Sequence, residues 1–184
     1  MSLESFKELI ESGDYIILDT ETTGLDSSAQ ICQIAIIDSS GNVLLDTLVK
    51  PTCPIPADAS AVHGITDDMV KDAPGWEKIM FVVQDIIEAR PVIVYNADYD
   101  TRMMIQSSKS VNLEWWTTGV FHCAMLAYAE HYGDWNDYRK SYRWVRLTDA
   151  AFMEDVIVEN AHNALGDCLM TLAVCKATIA KGEG

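Results

Sequence analysis

Residues 15–22, YIILDTET, decide the fold of this chain. Four consecutive β-forming residues, Tyr15 to Leu18, run directly into Asp19-Thr20-Glu21-Thr22. A strand covered on both faces reads as an unbroken apolar run, whereas a half-exposed strand alternates. The stretch therefore predicts a buried strand whose last residues emerge at an open end of a sheet. Residues two apart in a strand share a face, so Asp19 and Glu21 project together. Two carboxylates held that close repel each other unless a cation or a shared proton offsets the charge. An oxygen-preferring divalent ion such as Mg²⁺ or Mn²⁺ does this naturally; the alternative is a pair of solvated acids at a strand end. A calcium-loop reading of residues 19–30 fails, because Gln30 stands where the bidentate Glu belongs and a strand, not a helix, leads in.

Outward from this strand, residues 31–38 (ICQIAIID) and 42–49 (NVLLDTLV), separated by a short polar turn, predict a hairpin that continues the sheet. Residues 2–12 predict a short helix with Phe6, Leu9 and Ile10 on one side. Prolines 51, 54 and 56 close the hairpin section, and in the connection that follows Thr66 is placed to cap a short helix. Residues 76–89 have helical apolar spacing and stop before Pro91. PVIVYNA, residues 91–97, is a second apolar strand with a polar end, followed by a helix from about Asp98 through Met104. From Glu114 to Phe152 the pattern predicts two or more helices, and residues 163–180 form a strongly apolar helix. Strands, a connecting helix, another strand and more helices amount to a layered α/β fold. With no repeat or composition break, residues 1–184 are expected to form one domain.

Two further polar sites stand out. Asn96, Asp98 and Asp100 lie where the chain leaves the second apolar strand, the kind of sheet edge where ligands gather; either aspartate is also placed to favour the first turn of the next helix. His162 and Asp167 are five residues apart, which in continuous helix sets them about 140° apart. They face one site if Asn163 caps the helix, leaving His162 on the preceding loop and Asp167 in the first turn.

Taken in order, D-x-E-T-T-G-L, N-A-x-Y-D and H-x-A-L-x-D resemble the DEDDh branch of the DnaQ-like exonucleases, the superfamily of RNase T and exonuclease X, over about residues 15–176. The resemblance implies a ribonuclease H-like mixed sheet flanked by helices. It implies that Asp19, Glu21, Asp100 and Asp167 hold two Mg²⁺ or Mn²⁺ ions and that His162 is the catalytic base. Asp98 falls at the variable position of its motif. Thr22, Leu25 and Asn96 match positions that in relatives lie beside the terminal nucleotide, and the resemblance makes His63, in the family-like segment HGITDDMV, a further candidate substrate contact. Gly166 departs from relatives that carry a larger or acidic residue there. The implied activity is 3′→5′ removal of nucleoside 5′-monophosphates, with DNA ends preferred over RNA. The alternatives are an exoribonuclease of the RNase T or oligoribonuclease type, and a non-catalytic binding module on the same fold. A homodimer or a polymerase or repair partner stays open.

The bulk properties bear on the partner. The 184 residues carry 13 Lys and Arg against 28 Asp and Glu, a formal charge of −15. A protein wrapping long duplex DNA usually presents a basic surface, so contact with nucleic acid should be local: a strand end, metal ions and one basic segment. That segment is residues 139–146, RKSYRWVR, where Arg139, Lys140, Arg143 and Arg146 interleave with Tyr142 and Trp144. It reads either as a single-strand contact or as a helix whose arginines pair with Asp134, Asp137 or Asp149 while Trp144 packs inward. Trp115 and Trp116 read as core or as a stacking wedge. The five cysteines form no C-x-x-C pair, and Cys168 and Cys175 read as core thiols rather than disulfide or zinc ligands. The start lacks a signal-peptide pattern and no apolar run approaches membrane-spanning length. The cytoplasm is the expected compartment, with no membrane partner.

Overall fold

The computed structural model describes residues 1–157 and 162–180. A helix, α1 (Leu3–Ser12), leads into β1 (Ile16–Thr22), β2 (Ile31–Asp38) and β3 (Val43–Leu48). Two short helices, α2 (Ala57–His63) and α3 (Asp67–Val70), precede α4 (Trp76–Ile87), β4 (Pro91–Val94) and α5 (Ala97–Ser110). Then come β5 (Val120–Cys123), α6 (Ala124–Tyr132), the two-residue strands β6 (Trp135–Asn136) and β7 (Ser141–Tyr142), α7 (Leu147–Met153) and α8 (Ala164–Ala180).

The main sheet is mixed and runs β3-β2-β1-β4-β5. β1 is antiparallel to β2 and parallel to β4, with Ile17 opposite Ile37 on one side and Ile93 on the other. Alternation along β1 divides the core. Tyr15 and Ile17 pack with Ile37, Ile93 and Tyr95 against α1, α6, α7 and α8, whereas Ile16 and Leu18 pack with Ile34, Ile36 and Val92 against α4 and α5. Burying one such side chain contributes about 1.5–3 kcal/mol, and cover on both faces is why β1 is apolar without interruption. Cys168 and Cys175 lie in the first of these layers, fully buried on α8.

The β1–β2 register shifts after Glu21, where Gln33 pairs with Glu21 but Ile31 pairs with Thr22. A bulge of this kind bends the strand and ends regular pairing, and it does so beside the acidic end of β1.

Several expectations need correction. The region 114–152 does contain two helices, α6 and α7, but also β5, which pairs in parallel with β4 and completes the sheet. Residues 139–146 are not helical: they hold the turn and second strand of a small hairpin, and Trp144 points outward at 68% exposure. Helix α5 runs six residues past Met104. Thr66 occupies the N-cap of α3, but its side chain makes no capping bond. Trp115 packs toward the core, its ring 6.0 Å from that of Trp76, while Trp116 is exposed. Among the described residues no helix is long and apolar enough to cross a membrane.

Candidate active site

The odd-numbered face of β1 looks toward α8, so Asp19 and Glu21 continue the line of Tyr15 and Ile17 beyond the point where apolar packing stops. Asp167 meets them from α8. Its position is set by the helix start: the Asn163 side-chain oxygen accepts the Gly166 N–H at 3.4 Å, and the Asn163 carbonyl accepts the Asp167 N–H at 2.9 Å. Asn163 therefore caps α8, placing Asp167 in its first turn. One carboxylate oxygen from each of Asp19, Glu21 and Asp167 lies within 4.8 Å of the others.

Asp100 enters from the other layer. It sits in the first turn of α5, buried, with the Thr20 hydroxyl donating to its Oδ1 at 2.7 Å. It is not one of the three mutually close acids, but it is near enough to raise the carboxyls of Asp19 and Glu21. Asp98, two residues earlier, is exposed to solvent.

The acids are strongly perturbed. Burial, then Asp100, Asp167 and Glu21 in turn, push the Asp19 carboxyl well above its ordinary range. Burial, followed by Asp167 and Asp100, lifts Glu21 to about 7. Burial lifts Asp100 to about 7 against the Thr20 hydroxyl, and burial also raises Asp167. No Lys or Arg forms an ion pair with any of the four among the described residues. Three converging carboxylates, with Asp100 close behind and no cationic partner among the described residues, are a donor set that fits a hard divalent cation such as Mg²⁺ or Mn²⁺.

His162 lies just before α8 with φ +63°, an uncommon conformation for a side-chain-bearing residue. Its backbone N–H donates to Asp167 Oδ1 at 3.3 Å, and the residue is exposed beside the acids. The positive φ lets the amide turn back onto the carboxylate of its own motif.

The remaining expected positions divide. Thr22 is buried and shares a hydrogen bond with the Tyr99 hydroxyl at 2.5 Å, and the same hydroxyl donates to the Gly24 carbonyl at 3.0 Å. Leu25, on the turn thus held, is 77% exposed. Asn96 is exposed at the N-cap of α5 without a capping side-chain bond. His63 is turned inward. Its Nδ1 accepts the Ile65 N–H at 3.0 Å, so its Nε2 carries the proton and donates to the Thr22 carbonyl at 3.2 Å. Both ring nitrogens are engaged by backbone, which gives His63 a part in positioning the Thr22 turn.

Three contributors escape the sequence reading: Thr20, Tyr99 and Gln33. Buried Gln33 accepts from Asn163 Nδ2 and the Ala164 N–H, both at 3.3 Å, and donates to Asp46 at 3.0 Å. It ties the start of α8 to β2. The only signal for it is a polar residue inside the apolar run ICQIAIID.

Residues 16–175 match the exonuclease family model named for RNase T. The chain belongs to that exonuclease family. An uncharacterized exonuclease, CP81, of Escherichia phage 186 is 48% identical over 175 residues, covering 92% of this chain and 89% of the phage protein. DNA polymerase III subunit epsilon of Pasteurella multocida is 32% identical over 108 residues, covering 53% of this exonuclease but only 43% of the subunit. Among solved structures, exonuclease X in complex with 5′-overhanging duplex DNA matches with a TM-score of 0.69 and 25% identity, covering 92% of this chain and 94% of that one. E. coli exonuclease I with a dT13 oligonucleotide shares the fold, with a TM-score of 0.72 at 18% identity over 41% of its length. The ribonuclease H-like mixed sheet and the DnaQ-like family expected from the motifs are thus those of this exonuclease.

Proposed function

We propose that this exonuclease is a metal-dependent 3′→5′ enzyme that releases nucleoside 5′-monophosphates from DNA ends. The observation that carries the reading is the meeting of Asp19 and Glu21 with Asp167, distant in sequence, within 4.8 Å and without a cationic partner among the described residues. Asp19, Glu21, Asp100 and Asp167 would hold two Mg²⁺ or Mn²⁺ ions. Bound there, such ions would supply a means to activate water and to offset the charge on a leaving oxygen.

The protein's own groups divide the remaining work. Thr20 fixes the orientation of Asp100 through its hydroxyl. His162, exposed on the loop beside Asp167, accepts the proton of the attacking water at an imidazole nitrogen. The Thr22–Leu25 turn, held by Tyr99 and His63, presents Leu25 to the terminal nucleotide. Attack at the last phosphodiester leaves a 3′ hydroxyl on the shortened strand. The preference for DNA draws support from exonuclease X, which is seen in complex with 5′-overhanging duplex DNA.

The test is digestion of single-stranded DNA, duplex DNA and RNA of matched sequence, labelled at either end, with Mg²⁺ or EDTA. Mononucleotides should appear first from the 3′ end, DNA should be consumed faster than RNA, and EDTA or Asp167→Asn should abolish the reaction while the circular dichroism spectrum stays that of the wild type. His162→Ala should lower kcat by a factor of about 10²–10⁴ while leaving Mn²⁺ binding by calorimetry in place. Digestion that persists in EDTA overturns the proposal.

A further inference from the structure

Arg139, Lys140, Arg143 and Arg146 put four of the chain's thirteen Lys and Arg into eight consecutive residues of a protein whose formal charge is −15. They stand on a built framework. Trp135 pairs with Tyr142 and Asn136 with Ser141. The Asn136 side chain accepts the N–H groups of Tyr138 and Arg139 at 3.1 and 3.0 Å, and its carbonyl accepts that of Lys140 at 2.8 Å. The Arg143 N–H closes the base on the Asp134 carbonyl at 2.9 Å.

The aromatic groups of this hairpin face solvent. Tyr138 is 96%, Trp144 68% and Trp135 46% exposed, and large apolar rings left outside are more informative than those buried. Asn136, Arg139, Ser141, Tyr142, Arg143 and Trp144 line a groove of about 430 Å³. Lys140 and Arg143 make exposed ion pairs at 3.8 and 3.6 Å with Asp137 and Asp134, contacts weak enough to yield to an incoming phosphate. Arg139 and Arg146 make no ion pair among the described residues.

The hairpin is rooted at the catalytic edge of the sheet. Val145, next to Trp144, is buried in the layer shared with α8, and its carbonyl accepts the Tyr95 hydroxyl at 3.0 Å. Tyr95 immediately follows β4, and continuing the register Ile17↔Ile93 sets it level with Asp19. The cationic, aromatic surface thus grows out of the sheet end where the acids meet.

We infer that the β6–β7 hairpin is a landing surface for single-stranded DNA, gripping the strand upstream of the 3′ end held at the carboxylates. Phosphates pair with Arg139 and Arg146 while bases stack on Trp144 and Tyr138. Every base offers a π-face, so the grip is independent of sequence. In a duplex those faces are stacked on one another, so the surface selects single strands. The assignment rests on the nuclease reading for its substrate, but its binding test does not require catalysis.

The experiment measures anisotropy of fluorescein-labelled dT20, a 20-base-pair DNA duplex and a 20-nucleotide RNA in EDTA, where no digestion is expected. Arg139→Ala with Arg146→Ala should weaken dT20 binding about tenfold and reduce the slope of log affinity against log salt by about 1.4, near 0.7 for each lost phosphate contact. Trp144→Ala should weaken dT20 by about fivefold or more, with Trp144→Phe restoring most of it. Metal-dependent hydrolysis of the p-nitrophenyl ester of thymidine 5′-monophosphate, too short to reach the hairpin, should be unchanged in all three variants. Wild-type affinity for dT20 in the variants, equal losses for dT20 and duplex, or a loss confined to RNA would each overturn the inference. If the wild type cleaves neither substrate, the nuclease reading fails, and the anisotropy measurements still decide the hairpin.

Discussion

Asp100→Asn asks whether the carboxylate cluster is held together against its own electrostatics. Asp100 is 4% exposed, and burial lifts its carboxyl from 3.8 to about 7. At about 1.4 kcal/mol for each tenfold change, this difference disfavours the ionised form by roughly 4 kcal/mol. The folded protein therefore binds this proton more tightly than the unfolded chain does. The resulting stabilisation is whole below the unfolded value of 3.8, falls as pH rises from there through about 7, and is absent above. Asparagine is neutral throughout, close in shape, and its carbonyl oxygen can still accept the Thr20 hydroxyl. In EDTA at pH 8 the variant should exceed the wild type by about 2–4 kcal/mol, a rise in Tm of roughly 5–10 °C for a chain of this length. At pH 5 the advantage should shrink to under about half, and near pH 4 it should almost vanish. Added Mg²⁺ should reverse the order, because a ligand stabilises the form that binds it. Thermal melts followed by circular dichroism across these conditions supply the test. A variant that melts below the wild type in EDTA at pH 8, or whose advantage is the same at pH 4 and pH 8, would refute the reasoning.

Two further substitutions probe the supports of the site. Gln33→Leu removes the acceptor of the Asn163 side chain and the Ala164 N–H; urea unfolding should show a loss of about 1–3 kcal/mol, and kcat should fall because Asp167 rides on the same helix start. Unchanged stability would show that α8 is anchored elsewhere. Tyr99→Phe deletes the hydroxyl that bonds both the Thr22 hydroxyl and the Gly24 carbonyl; stability should fall by about 0.5–1.5 kcal/mol and KM for an oligonucleotide should rise more than kcat falls. An unaltered KM would remove the Thr22–Leu25 turn from the substrate's path.

How far the molecule can be read from its sequence follows from where each element finds its partners. Strands β1, β2 and β4 are legible because cover on two faces writes an apolar run into the chain itself. Strand β5 is not: its four residues, VFHC, sit at the sheet edge, largely half-buried, and are fixed by register with β4, which no local pattern encodes. The two-residue strands of the hairpin are too short to show alternation at all. The acids are legible as motifs, but the choice between Asp98 and Asp100 is not a local matter, since both lie in the first turn of α5 and only packing buries the second. Thr20 is hidden by the very rule that reveals Asp19 and Glu21, because alternation assigns it to the opposite face. That face is the one α5 covers, so Thr20 can reach Asp100 while Asp19 and Glu21 meet Asp167 from α8. The acids are thus drawn from both layers of the fold. Inside the sheet those layers are kept apart by the strands themselves, and no cation could be shared between them. Only where β1 runs out, at the bulge after Glu21, can carboxylates from the two sides approach one another. The placement of the acids at the end of the apolar run, and not within it, is therefore a geometric requirement of any site built from both faces of this sheet.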